Sequence, residues 1–284
     1  MNNSQNGAVE ILGEEMARIT LSIVIVNWNT RDLLRACLAS LEPEAMSSWD
    51  VWVVDNGSTD GSQQMLQTIF PGVHLIANVD NRGYAAANNQ AIEASSGRYV
   101  LLLNSDTLVP TGAIARLLAF VDSRPGIGAA SPRLLQVDGT PQPYAFGHDP
   151  TLGYLLRRGF SRAVLRRALH DWTTDVPQRV DWVSGACMLV RREVIDQVGL
   201  LDERFFMYFE DNDWCLRMRQ HGWTVWYVPE VEITHLGGQS LGQNSAAQRI
   251  YHRSLERFYS KHYSIAASLI LRLLLAVYRS SVSI

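Results

Sequence analysis

The chain reads as an α/β protein built on a mostly parallel sheet with helices on both faces, and three observations predict this. Apolar blocks rich in β-branched residues alternate with helical patterns along the N-terminal half. The blocks are continuously apolar, as befits strands buried on both faces. Their ends carry Asn27, Asp55 and Asp106, the residue types that collect where such sheets bind ligands.

Taken in order, residues 19–27 (ITLSIVIVN) form the first strand, followed by a helix through Leu33, Leu34, Cys37, Leu38 and Leu41. A second strand over 49–54 stops at DNGSTDGS, a turn before the helix around 65–69. Residues 73–77 make a third strand, and NRGYAAANNQAIEAS is a Gly-containing turn entering a helix. YVLLL, residues 99–103, is the fourth strand and ends at Asn104, Ser105 and Asp106. Residues 131–150, rich in Pro and Gly, predict an irregular connection with a hairpin at QVDGTPQ. Residues 180–190 return to the sheet, and the stretch from Gln243 onward is helical.

The 284 residues suffice for a sizeable core, and 47% hydrophobic with 19% charged residues excludes global disorder. A formal net charge of −3 leaves no electrostatic footprint for nucleic acid. Cys37, Cys187 and Cys215 are too few and too scattered for a disulfide framework or a Cys-x-x-Cys zinc site, which fits a reducing cytoplasm. Residues 1–18 carry Glu10, Glu14 and Glu15 with no basic start or apolar block, so they read as a flexible polar tail rather than a signal peptide.

The order and spacing of SIVIVNWN, VVDNGSTDGS, NRGYAAANNQAI, LLLNSDT, VSGACMLVRREVIDQVGLLDERFFMYFEDNDWCLRMRQHGW and ITHLGGQS resemble the inverting nucleotide-sugar glycosyltransferases of family 2, which have the GT-A fold. Within them the chain is similar to bacterial rhamnosyltransferase-like members. The resemblance covers most of the chain and implies a GT-A domain over 19–240, with a Rossmann-like nucleotide-binding half, followed by a C-terminal helical extension over 241–284. It implies transfer of a hexose, with L-rhamnose from dTDP-rhamnose leading, from a nucleoside-diphosphate sugar to a cell-surface glycan or lipid-linked acceptor.

For individual residues, a carboxylate at Asp55 can accept hydrogen bonds from a nucleobase or ribose, and the resemblance gives it that role, with Asn27 and Asn29 in the same pocket. Asn104, Ser105 and Asp106 stand where the family writes its Asp-x-Asp metal motif. Here the first position is a neutral amide, so Asp106 is the principal carboxylate for Mn²⁺ or Mg²⁺, with His235 matching a later ligand. The resemblance places Arg82 and Gly83 beside the donor, where a helix N-terminus can approach the diphosphate. Asp211 matches the base that takes the acceptor proton, Glu210 is the acid beside it, and Gly185 lies where acceptor or donor sugar meets backbone. Turn or capping chemistry is the bland alternative at each strand end.

The segment TLGYLLRRGFSRAVLRRALH carries five arginines and reads either as a solvated helix or as a peripheral contact with the inner face of the cell membrane. IAASLILRLLLAVY, about 14 residues with Arg272 inside it, falls short of the ~20 needed to span a bilayer and suits a core, homodimer or membrane-docked helix. Two functions of other classes compete. A noncatalytic nucleotide- or sugar-binding protein is suggested by Asn104, and Asp106, Asp211 and His235 argue against it. A nucleotidyltransferase needs a Gly-rich phosphate loop after the first strand, where this chain has NWNTRDLL.

Overall fold

The computed structural model describes residues 20–41, 49–167, 169–237 and 245–282, so the polar tail expected over 1–18 lies outside the described residues. The first half alternates β1 (Leu21–Asn27), α1 (Arg31–Ser40), β2 (Trp49–Asn56), α2 (Ser62–Ile69), β3 (His74–Asn78), α3 (Tyr84–Ala94) and β4 (Tyr99–Asn104). These strands lie in the order β3-β2-β1-β4, every pair parallel. Leu21, Ile23, Val24 and Ile25 of β1 and Val100, Leu101, Leu102 and Leu103 of β4 are fully buried, which explains their unbroken apolar runs. Each such side chain contributes about 1.5–3 kcal/mol by leaving water.

The second half supplies β5 (Thr107–Leu108), α4 (Ala113–Asp122), β6 (Ile127–Leu135), β7 (Phe146–Gly147), α5 (Leu152–Phe160), β8 (Gln178–Val180), β9 (Trp182–Val183), β10 (Cys187–Arg191), α6 (Arg192–Val198), α7 (Glu210–Gln220), β11 (Thr224–His235), α8 (Ser245–His262) and α9 (Ile265–Val282). The sheet continues from β4 through β10, β6 and β11 to β5, with β8 also on β11. β6 and β11 are parallel, and β10 is inserted antiparallel between β4 and β6. Because β10 runs backward, its N-terminal end lies at the carboxyl end of β4. Asn104 N–H accordingly donates to the Ala186 carbonyl at 2.9 Å. One sheet edge thus gathers the ends of β1, β2 and β4 and the start of β10.

Two expectations change. Residues 131–135 are not irregular but belong to β6, because Pro132 sits opposite a register shift in β11 between Val228 and Glu232, where its missing N–H costs no ladder bond. The predicted return over 180–190 breaks into β8, β9 and β10, with β9 pairing β7 in a small separate sheet. The helical stretch expected from Gln243 onward is helical over its described residues, as two helices with a break at Tyr263 and Ser264. The hairpin at QVDGTPQ is present: Gln136 N–H donates to the Thr140 carbonyl at 2.8 Å, and Gly139 takes the positive φ of 80° that the turn requires.

Candidate active site

Parallel register pairs Asn27 with Asp55 and Val26 with Asn104, so three of the polar residues singled out in the sequence meet at one edge. Asn27 and Asp55 are fully buried. Asn27 Nδ2 donates to Asp55 Oδ1 at 2.8 Å, while Asp55 Oδ2 accepts from Gln63 Nε2 at 2.7 Å and Ser58 N–H at 3.1 Å. Thr30 extends the chain of bonds, donating to Asn27 Oδ1 at 2.7 Å and lying 2.9 Å from Ser105 Oγ. Asn29, with φ of 54°, caps the Ser58–Thr59 turn by accepting from Thr59 N–H at 2.8 Å. The network links β1, β2 and the end of β4 into one rigid floor.

His235 reaches Asp106 because the end of β11 pairs antiparallel with β5, placing His235 opposite Thr107. Leu236 N–H donates to the Asp106 carbonyl at 2.8 Å, and His235 Nε2 lies 3.1 Å from Asp106 Oδ1. On the far side of the ring, His235 Nδ1 is 2.8 Å from Gln142 Oε1. A ring that donates from Nδ1 to that oxygen would leave its Nε2 lone pair for a cation shared with Asp106, and Asn104 Nδ2 lies 3.2 Å from the same nitrogen. A Cβ on Gly237 would fall on Asp106 Oδ2, so this residue must be small. An imidazole lone pair and a carboxylate that remains 20% exposed, aimed at one point, form a donor set that fits Mn²⁺ or Mg²⁺. Among the described residues no third His, Cys, Asp or Glu joins them.

The third component is the start of α7. Tyr208 and Phe209 precede it with positive φ values of 67° and 71°, rare for bulky residues and a mark of backbone held by its surroundings. Glu210 is buried, and its Oε2 has no hydrogen-bond partner. Asp211 is half-buried, accepting from Gly185 N–H at 3.1 Å and from Asn212 N–H at 2.8 Å. Burial first, then the neighbouring Asp211 charge, pushes the Glu210 carboxyl well above the usual carboxylate range. Asp211 is also raised, chiefly by burial, with the two backbone N–H groups opposing. Of the two, Asp211 is the carboxylate that solvent can reach.

Gly185 is where β10 meets this helix: its carbonyl accepts from Tyr84 Oη at 2.7 Å while its N–H serves Asp211. Tyr84 opens α3, and its N–H donates to the Phe206 carbonyl at 2.7 Å, so this end of α3 holds the loop leading to Glu210. Arg82 is exposed, with its N–H on Asn56 Oδ1 at 3.2 Å. Gly83 has φ of 87°, and a Cβ there would stand 2.6 Å from the Phe206 carbonyl oxygen. Gly83→Ala is therefore expected to destabilise the fold by about 3 kcal/mol, read as a lower urea midpoint at unchanged slope.

The next acid along α7, Asp213, faces elsewhere. Its fully buried carboxylate pairs with Arg217 at 2.9 Å and with Lys261 and His262 at 2.6 Å each. Helix α8 is thereby bolted to α7, and Ser254 Oγ adds a 2.8 Å bond to the Met207 carbonyl. Phe209 packs between Tyr251 and Phe258 of the same helix, at 5.0 and 5.7 Å between ring centres. Sequence reasoning missed Gln142, Tyr84, Lys261 and His262, whose roles depend on contacts far along the chain. Gln63 and Thr30 lay within the motifs already noted but carried no signal of their own.

Residues 22–199 match the family model for glycosyl transferase family 2. The chain belongs to that family. This glycosyltransferase is 34% identical over 266 residues to N-acetylglucosaminyl-diphospho-decaprenol L-rhamnosyltransferase of Mycobacterium tuberculosis, covering 86% of this chain and 85% of the relative. It is 25% identical over 240 residues to dTDP-rhamnosyl transferase RfbF of Shigella flexneri, covering 83% and 75%. Among solved structures, GalNAc-T7 with UDP, GalNAc and Mn²⁺ superposes with a TM-score of 0.58 at 18% identity, over 84% of this chain and 48% of that one, a likeness of fold. The fold is GT-A. Glu210, Asp211 and His235 lie beyond the segment that the family model matches.

Proposed function

We propose that this glycosyltransferase moves L-rhamnose from dTDP-rhamnose to a hydroxyl of a lipid-linked glycan at the cytoplasmic face of the cell membrane. The observation that carries the reading is the meeting, at one sheet edge, of the Asn27–Asp55 floor, the Asp106–His235 pair and the Asp211 carboxylate. The choice of donor and acceptor is supported by relatives whose names specify an L-rhamnosyltransferase acting on a diphospholipid-linked sugar and a dTDP-rhamnosyl transferase.

In this reading Asp55, Asn27 and Asn29 hold the nucleoside, Asn104, Ser105, Arg82 and Gly83 border the diphosphate and sugar, and Gly185 and Glu210 border the acceptor. Asp211 takes the proton of the acceptor hydroxyl as its oxygen bonds to the anomeric carbon. The bond to the departing diphosphate breaks on the opposite face, its electron pair stays with the nucleotide, and the anomeric configuration inverts. A divalent cation held by Asp106 and His235 would neutralise charge on the departing diphosphate. Asn104 costs the site one carboxylate, yet its amide faces His235, so the substitution leaves the donor set organised.

The acceptor reading also calls for contact with a bilayer. Among the described residues no helix is long and apolar enough to cross a membrane. Helix α9 docks through Ser268, Leu271 and Leu275 while Leu269, Ile270, Leu273 and Val277 face outward, a surface suited to lying on a membrane. Co-sedimentation with phospholipid vesicles tests that contact, and a dimeric mass without vesicle binding would assign the face to a second copy. The reaction itself is tested by incubating the protein with a panel of UDP-, GDP- and dTDP-sugars and a diphosphate-linked N-acetylglucosamine acceptor. Transfer from dTDP-rhamnose alone supports the reading, and transfer from another donor replaces it.

A further inference from the structure

Beside the carboxylate helix lies a cleft of about 430 Å³ whose lining includes Arg158, Arg166 and Arg167 together with Tyr144, Tyr154 and Trp172. None of the three arginines forms an ion pair among the described residues. The nearby acids Asp149 and Asp181 are instead taken by Arg219, at 2.6 and 3.6 Å. Arg158 lies over the Tyr144 ring at 5.0 Å and hydrogen-bonds the Tyr144 and Tyr251 side chains, neutral partners that leave its charge unbalanced. Burial and the charges of His148 and Arg158 push His170, at the cleft wall, down to about 4, so the wall is neutral and only the arginines carry charge.

Tyr251 of α8, which hydrogen-bonds Arg158, links the cleft to the start of α7. Tyr251 packs 5.0 Å from Phe209, next to Glu210, and lies in the field of both Arg158 and Asp211. Its other wall is aromatic: Tyr144 and Trp172 are 4.9 Å apart, and Trp172 and His170 5.8 Å. Two lining residues, Tyr144 and Arg166, have positive φ values of 64° and 51°, so the backbone accepts strain to present them.

Three uncompensated guanidiniums in a chain of net charge −3 make an anion site, and their planar forks match phosphate oxygens. Ring faces beside them suit an apolar or sugar moiety. We infer that this cleft binds the diphosphate of the acceptor, with Arg158, Arg166 and Arg167 gripping its oxygens while the attached sugar extends past Tyr251 toward Asp211. The inference rests on the lipid-linked reading above and adds to it the residues that select a diphosphate ester over a plain glycoside.

The test uses the full chain, as wild type, as Arg158→Gln and as Arg166→Gln with Arg167→Gln, the latter pair being exposed and safe for folding. The probes are the N-acetylglucosaminyl diphosphate ester of a short isoprenyl alcohol, the matching phosphate-free glycoside, inorganic pyrophosphate, and anionic vesicles lacking any diphosphate. The expected result is a rise of roughly tenfold in acceptor KM for each lost arginine, with kcat and donor KM unmoved, and competition by pyrophosphate that weakens in the same variants. Unchanged acceptor KM in both variants, alongside wild-type transfer to the ester, would overturn the cleft assignment and leave the lipid-linked reading standing. Loss confined to vesicle binding would likewise overturn it, giving the arginines to the bilayer surface. Absence of transfer to the ester by the wild type would remove both.

Discussion

Asp211→Asn is expected to lower the rate of sugar transfer by about a thousandfold, roughly 4 kcal/mol of transition-state stabilisation, while donor affinity stays within a fewfold of wild type. The amide retains the shape that accepts from Gly185 N–H but cannot take a proton from the acceptor hydroxyl. Single-turnover rates with saturating donor check this. The pH profile carries a second signature. Burial raises Asp211, and a base works only when deprotonated, so the rate climbs as pH rises through a value above the usual carboxylate range. Buried Glu210 is pushed up as well, first by burial and then by the neighbouring Asp211 charge. Equal rates in Asp211→Asn and wild type would move the proton transfer to another group.

Asp213→Ala is expected to cost about 3 kcal/mol of stability, because it strands the charges of Arg217 and Lys261 and removes the hydrogen-bond partner of His262 Nε2 at a buried junction. For a chain of this size the melting temperature should fall by roughly 6–12 °C. Burial alone would raise the Asp213 carboxyl, but hydrogen bonds from His262 and Lys261 and the charge of Arg217 overcome it and hold the group below its ordinary value. A depressed carboxylate contributes stability that is full above its unfolded pKa of about 4 and is lost as pH falls below that. Wild type and Asp213→Ala should therefore converge in stability toward acid pH, and thermal melts across that range check it. A constant gap at all pH values would mean that packing, not charge, joins α8 to α7.

The parallel half of the sheet was legible because each strand is a local, continuously apolar run bounded by polar turns. β10 was legible as a return to the sheet, but its antiparallel place between β4 and β6 was not, since it follows from pairings far apart in sequence. Pro132 argued against a strand, and only the register shift in β11 accommodates it. At the site, Asp55, Asp106, His235 and Asp211 were visible as motif positions. Glu210, Asp211 and Asp213 stand together in the sequence, yet neighbours on a helix point to different sides: Asp211 faces Gly185 and Asp213 faces α8. Gln142, which orients His235, sits in a Pro-rich turn with no periodic signal, and its role exists only after β11 reaches β5.

In the proposed mechanism Asp106 and His235 hold a divalent cation on which binding of a dTDP-sugar depends. Calorimetric titration of dTDP-rhamnose into the wild-type chain and Asp106→Ala, with Mn²⁺, Mg²⁺ or chelator present, tests this. The expected result is metal-dependent binding by the wild type that is abolished by chelator and by the substitution. Binding of equal strength with and without metal in both proteins, or no binding to the wild type under any condition, would contradict it.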